Sequence, residues 1–308
     1  MHIMDWDGIR YFLEVARTQR VSGAAKRLGV QHTTVSRRIH LLEQALNTVL
    51  FNKSKASGYT LTEDGQRFLA HAEQIESTLL NAQEEVSGQA AALSGHLRVG
   101  ATEGFGSYVL APLMVDFQRR FPGITLEIMP VPRFISLSKR EADIAISLEQ
   151  PQRGPYLRTL LGEYTLRLYG TRAYLEQNPP IRNREDLEHH RYIGYVEELL
   201  FSDDLRYLDD IVPAANVGFR STSVIAQYHA ALQGNALAIL PCFMAAQDPR
   251  LITVLEDEIQ VSRRFWMYCH EDLRQSRRVM ALWDFIKRAA QLNAPLLQGA
   301  DDRLRYLP

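Results

Sequence analysis

The chain has 308 residues, a length for two domains or one large one, which excludes a single small fold. A formal charge of −1, with 46% hydrophobic and 23% charged residues, is an ordinary globular composition and excludes disordered and collagen-like classes. The longest apolar run, Ala236 to Ala246, is about 11 residues and contains Pro241, against roughly 20 needed to cross a bilayer. The N-terminus carries Asp5 and Asp7 and lacks an apolar core of signal-peptide length. With only Cys242 and Cys269 as cysteines, the expected compartment is a reducing cytoplasm with no membrane partner.

The near-zero charge conceals two opposed parts. Residues 1 to 61 hold nine Lys/Arg against four acids, a balance of +5, and the remainder carries −6. A basic head suits a polyanion, but charge acquires meaning only with a motif. Ile9, Phe12, Leu13 and Ala16 repeat at the spacing of one helical face, predicting a first helix from Asp5 to Thr18. Ser22 is expected to N-cap a short second helix, Gly23 to Leu28, ended by Gly29. A third helix begins at His32, with Val35, Ile39, Leu42 and Leu46 as its apolar stripe. Its other side presents Thr33, Ser36, Arg37 and His40, whose donors and acceptors suit base edges and phosphates. A short helix, a Gly turn and a donor-rich second helix spell a helix-turn-helix, for which the bland alternative is a solvated helical hairpin. Asn47 to Thr62 reads as two short extended pieces around a turn bearing Lys53 and Lys55, a wing placed to follow a phosphate backbone.

From Thr62 to about Leu93 a long helix carries Phe68, Ala72, Ile75, Leu79, Ala82 and Val86 in alternating steps of four and three. That 3.5-residue repeat predicts a dimerising coiled-coil arm, roughly 45 Å long at 1.5 Å per residue. Ser94 and Gly95 end it. Beyond them, strands at His96 to Ala101, Ile124 to Met129 and Ala142 to Ser147 alternate with helices at Gly106 to Phe121 and Ile135 to Lys139. Strands near Arg191 to Val196, Asn216 to Phe219 and Ala236 to Leu240 repeat the pattern, with helices at Thr171 to Gln177 and Ser223 to Gln233. Two α/β lobes with a largely parallel sheet fit this order. Arg264 to His270 reads as extended, and a last helix, Arg274 to Leu292, is placed to return the chain to the first lobe.

These residues resemble the LysR-type transcriptional regulators. Tyr11-Phe12, Ala24-Ala25 with Leu28, Val35-Ser36-Arg37 with Ile39, Leu42-Glu43, Leu50-Phe51 and Leu61-Thr62 with Gly65 follow the pattern of that family's DNA-binding head. Leu93-Ser94-Gly95, Leu97 to Gly100, Phe121-Pro122, Asp143 with Ala145-Ile146, and Gly234 with Leu237-Ala238 and Leu240-Pro241 are similar to its effector domain. The chain departs from the family at His32-Thr33-Thr34, where Gln-Pro-Ala is common, and at Gln19-Arg20-Val21. The resemblance implies an all-α winged helix-turn-helix head (1–62), a linker and dimerisation helix (63–93) and a two-lobed α/β, periplasmic-binding-protein-like effector domain (94–308). Lobe I would comprise about 94–166 and 270–308, lobe II about 167–269, with crossovers near Thr165 to Tyr169 and Phe265 to His270. It further implies that Thr33, Thr34, Ser36 and Arg37 face the major groove of an operator duplex, joined by His40 from the same face. Arg38, Lys53 and Lys55 would touch the backbone. An effector would sit between the lobes at strand ends and helix starts, against Thr102, Glu103, Pro130, Arg133, Ser147, Ser221 and Thr222. The implied partners are double-stranded DNA, a small-molecule effector, a homodimer or homotetramer, and RNA polymerase; no cofactor and no enzyme activity are implied.

Other chemistries find less support. Gly104-x-Gly106 with Glu127 imitates a dinucleotide fingerprint, but Val109 stands at the third glycine position. The histidines, His189-His190 included, form no cluster with metal-ligand spacing. Ser107 and Ser221 lack a nucleophile-elbow context. A redox response through Cys242 and Cys269, or an α/β small-molecule-binding protein or dinucleotide-dependent enzyme with an incidental hairpin, are the competing readings.

Overall fold

The computed structural model describes residues 5–54, 58–87, 93–131, 141–152 and 154–308. Contacts divide the chain into two compact units, Met1–Ala91 and Ala92–Pro308.

In the first unit, helix α1 (Trp6–Thr18) is N-capped by Asp5, whose Oδ1 accepts from the Gly8 amide at 2.7 Å. Helix α2 spans Val21–Leu28 and ends on Gly29 at φ +68°. Its N-cap is Arg20, two residues before the expected Ser22, because Arg20 already accepts the first helical bond, from Ala24 at 3.0 Å. Ser22 therefore lies inside the first turn. Helix α3 (His32–Leu46) buries Val35, Ile39 and Leu42 and half-buries Leu46. Strands β1 (Phe51–Ser54) and β2 (Gly58–Leu61) pair antiparallel, Phe51 opposite Leu61, as the wing. Helix α4 (Glu63–Ser87) begins where the Thr62 hydroxyl accepts from the Gly65 amide and donates to the Val49 carbonyl, at 2.9 and 2.6 Å. Gly65 is required there: a Cβ would stand 2.1 Å from the Leu50 carbonyl oxygen.

The head core is built round Phe12, whose ring lies 5.2 Å from Phe51 and 4.9 Å from Phe68. Ala72 is fully buried in the same core. The first two positions of the expected dimer seam, Phe68 and Ala72, therefore serve the fold of their own chain. The long helix must cross α1 before it can leave the head, and Arg17 of α1 clamps that crossing by pairing with Glu76. Ile75, Leu79 and Ala82 remain exposed, and the Val86 side chain lies outside the described set.

The second unit opens with β3 (Gly95–Thr102), α5 (Glu103–Phe105), a π-helical turn at Gly106–Leu110 and α6 (Ala111–Arg120). The helical segment thus starts three residues before the expected Gly106, because Thr102 is the last extended residue. There follow β4 (Ile124–Val131), β5 (Ile144–Ser147), β6 (Tyr156–Thr171), α7 (Arg172–Gln177), β7 (Arg191–Gly194), α8 (Leu208–Ile211), β8 (Asn216–Arg220) and α9 (Val224–Ala231). The chain closes with β9 (Leu237–Pro241), α10 (Cys242–Ala245), β10 (Leu251–Val254), β11 (Val261–His270), α11 (Arg277–Leu292) and α12 (Ala294–Leu297). The short helix expected at Ile135 to Lys139 lies outside the described residues.

One nine-stranded sheet runs β4-β3-β5-β11-β6-β9-β7-β8, with β10 paired to β6. It is parallel at each end and antiparallel in the middle, so the expected largely parallel sheet is a mixed one. The reason is the length of the crossovers. β6 and β11 pair antiparallel from Val261–Leu166 to His270–Tyr156, turning two expected linkers into a central ribbon between an N-terminal and a C-terminal α/β half. Helix α11 returns to the N-terminal half, with Phe285 5.1 Å from Phe117 of α6. Gly104 and Gly106 are explained by packing: added Cβ atoms would meet Met244 Sδ at 2.8 Å and Pro130 Cβ at 2.7 Å.

Candidate functional site

On the head, the outer face of α3 is set by its inner one. Val35, Ile39 and Leu42 lock the helix rotation, leaving Thr33, Ser36, Arg37 and His40 exposed and Thr34 half-buried. Arg37 forms no ion pair with any acid among the described residues. Its nearest sequence candidate, Glu43, is buried and committed elsewhere: Oε1 accepts from the Leu50 and Phe51 amides at 2.9 and 3.3 Å, and Oε2 lies 3.5 Å from Lys53 Nζ. Glu43 thereby ties α3 to the wing. The motif signalled its presence, but no pattern in the sequence revealed a buried carboxylate satisfying two strand amides.

The other basic residues differ in freedom. Arg38 pairs with Asp5 and Asp7 at 3.2 and 3.6 Å and lies over the Tyr11 ring. Lys53, besides Glu43, lies 5.9 Å from the Tyr59 ring centroid. His40 shares a 3.0 Å contact with Gln44. The wing is held at β2 by the Tyr59 amide, which donates to the Gln19 carbonyl at 2.9 Å. Lys55 lies outside the described residues.

In the second unit, a cavity opens where the strand ends of the two halves meet the central ribbon. Thr102 and Glu103 enter it from the end of β3, Thr222 and Val224 from the start of α9, and Tyr164 and Phe265 from β6 and β11. Tyr164 and Phe265 stack at 4.2 Å, and Phe105 packs 4.5 Å from Phe265. Three expected effector residues therefore converge: Thr102, Glu103 and Thr222. Pro130, Ser147 and Ser221 line neither this cavity nor its neighbour. The Pro130 ring packs against Gly106, the Ser147 hydroxyl donates to the Glu149 carbonyl at 2.6 Å, and the Ser221 hydroxyl accepts from the Ser223 amide at 3.1 Å. Arg133 lies outside the described residues. Tyr195, Phe201 and Tyr207 complete the wall; Tyr195 lies at the end of the strand expected at Arg191 to Val196 but was not among the expected effector residues, and Phe201 and Tyr207 were missed because they come from a loop with no periodic signal.

Two hydrogen bonds cross between the halves beside the cavity. Ser223 Oγ donates to Glu103 Oε1 at 2.9 Å while capping α9 by accepting from Ala226, and Ser202 Oγ donates to Glu149 Oε1 at 2.7 Å. Glu103 Oε2 is buried and without a partner. Burial drives the Tyr195 phenol well above its ordinary pKa, with Tyr207, Tyr164 and Glu103 adding to the rise. The adjoining cavity shares Tyr195, Leu205 and Tyr207 with the first and adds Arg206 and Arg220, which pair with Asp203 and Glu197.

Both cysteines are fully buried. Burial raises the Cys242 thiol and pushes Cys269 up to about 11, which disfavours the reactive thiolate form of both. Among the described residues no His/Cys/Asp/Glu group has the arrangement of a metal site, and no helix is long and apolar enough to cross a membrane.

Comparison with known proteins agrees with this architecture. Residues 6–66 match the family model for the bacterial regulatory helix-turn-helix protein, lysR family, and residues 90–291 match that for the LysR substrate binding domain. The transcriptional activator TtdR of Escherichia coli K12 is 24% identical over 290 residues, covering 90% of this chain and 91% of TtdR. A full-length OxyR variant from Pseudomonas aeruginosa shares the fold with a TM-score of 0.68 at 22% identity, covering 93% of this chain and 96% of that one. CbnR in complex with its target DNA does so at 0.58 and 18%, covering 93% and 100%. The helix-turn-helix head, the two-part α/β effector unit and family matches over most of the chain place it in the LysR family of transcriptional regulators.

Proposed function

We propose that the chain is a cytoplasmic, sequence-specific regulator whose α3 reads the major groove of an operator and whose activity responds to a small molecule held in the Thr102–Glu103–Thr222 cavity. The observation that carries the DNA-reading assignment is the exposed, unpaired Arg37 on the face opposite a buried stripe. A free guanidinium fork suits the paired acceptors of guanine or a phosphate, with Thr33, Thr34, Ser36 and His40 beside it. Arg38 and Lys53, already held by acids of their own chain, suit fixed-position phosphate contacts; Lys55 is assigned the same role. The structure of CbnR with its target DNA supports the use of this fold on a duplex.

Ile75, Leu79 and Ala82 form the exposed part of the α4 stripe and pair with a second copy in the proposed homodimer, which assembles further to a tetramer and contacts RNA polymerase. Effector binding shifts the balance between two arrangements of the effector halves. A ligand does this only by binding one arrangement more tightly than the other, and the Ser223–Glu103 and Ser202–Glu149 bonds are the contacts such a shift makes or breaks.

The test is a salt titration with the operator located by genomic footprinting. With about 6 to 10 phosphate contacts, affinity falls roughly three to five decades between 50 and 200 mM salt. A flat salt response, or an absence of protected sites, removes the reading.

A further inference from the structure

We infer that the cavity is built for a cationic effector, an organic amine carried on a small apolar body, with Glu103 as its counter-ion. This rests on the proposal that the cavity is the effector site. Among the described lining residues Glu103 is the sole charged side chain; the rest are aromatic, aliphatic, Gly, Pro and Thr. One carboxylate oxygen is satisfied by Ser223 and the other is buried with no partner. A buried carboxylate oxygen left without a donor is costly, and an incoming ammonium supplies the missing donor together with the opposite charge.

The aromatic wall favours the same ligand. Tyr164, Phe265, Phe105, Tyr195 and Tyr207 line the same cavity as the carboxylate, and cations are attracted to aromatic faces. Among the described residues, the arginines near the site are already paired. Arg263 donates to the Asp204 carbonyl at 2.8 Å and lies 3.7 Å from its carboxylate; Arg206 and Arg220 pair with Asp203 and Glu197 in the adjoining cavity. An anion would meet the reverse arrangement. Helix N-termini usually welcome anions, but the helical segment after β3 begins on the Glu103 carboxylate itself, and at α9 the Ala226 amide is taken by Ser223 Oγ. The Ser223–Glu103 bond can persist while Oε2 takes the ligand, so the amine would be read next to a hydrogen bond that joins the two halves.

Benzylamine, benzyl alcohol and benzoate share a small aromatic body and differ in charge. Their dissociation constants for the full-length chain, measured by calorimetry at neutral pH, test the inference. We expect benzylamine to bind about ten- to a hundred-fold more tightly than either relative, the range of a charge-assisted hydrogen bond, and Glu103→Gln to remove that preference while retaining benzyl alcohol binding. The wild-type comparison stands whether or not the variant folds. Equal binding of the three, a preference for benzoate, or an amine preference that survives Glu103→Gln overturns the cationic assignment and leaves the effector cavity in place. No binding by any of the three overturns the cavity as an effector site, and this inference with it.

Discussion

Removing the Glu43 carboxylate tests whether the wing is positioned by a buried acid. In Glu43→Ala the amides of Leu50 and Phe51, which donate to Oε1 at 2.9 and 3.3 Å, lose their acceptor at the entrance to β1. A buried donor left unsatisfied costs about 1 to 3 kcal/mol, and two give a gross loss of about 2 to 6 kcal/mol. Relief of a buried charge offsets part of that. The half-exposed Lys53 partner contributes under about 1 kcal/mol, because solvent screens it. A net local loss of about 2 kcal/mol corresponds to roughly thirty-fold faster opening-limited exchange at these amides. Hydrogen exchange read by mass spectrometry on peptides covering residues 47 to 61 measures it directly. Glu43→Gln keeps a carbonyl for the Leu50 amide, so its exchange should rise only a few-fold, and peptides of the effector sheet, such as residues 237 to 245, should not change. Unaltered protection of the wing in Glu43→Ala, or equal acceleration across both units, refutes the role assigned to this carboxylate.

Arg37→Ala is expected to lower specific operator affinity by about 1 to 3 kcal/mol without altering thermal stability, since the side chain is exposed and unpaired; an unchanged gel-shift titration sinks the base-reading assignment. Gly65→Ala forces a methyl against the Leu50 carbonyl and should destabilise the head by about 1 to 3 kcal/mol, seen as an earlier urea transition in Trp6 fluorescence; an unshifted midpoint contradicts the packing. Cys269, raised to about 11 by burial, should resist thiol reagents in the native chain at pH 8 and react fully in urea. Because its folded pKa lies above the unfolded value, its contribution to stability is complete below the unfolded pKa of about 8.5 and is lost as pH rises towards 11. Cys269→Ala should flatten that alkaline decline, and a decline identical to wild type would show that other groups cause it.

The head was legible because its signals are local. Each helix buries a stripe at i, i+3 and i+4, and Gly29, Leu50-Phe51 and Thr62-x-x-Gly65 mark its stops and turns within a few residues. The helix start misread at Ser22 and the division of the α4 stripe needed tertiary information. Periodicity shows that Phe68 and Ala72 are apolar, and only the position of Phe12 shows which surface takes them. The cavity was half legible for a different reason. Thr102, Glu103 and Thr222 sit at the strand-to-helix junctions where α/β folds gather ligands, so topology alone nominates them. Ser147 and Ser221 occupy equivalent junctions yet turn their hydroxyls to local backbone, a choice made by rotamers that no spacing records. Tyr195, Phe201 and Tyr207 reach the wall from an irregular loop. Glu103 carries the sharpest case. In the sequence it is one acid among seven expected effector contacts at strand ends and helix starts. In the fold, one of its oxygens is held by Ser223 from the other half and the second has no donor among aromatic rings, which converts a local charge into a statement about what the cavity should bind.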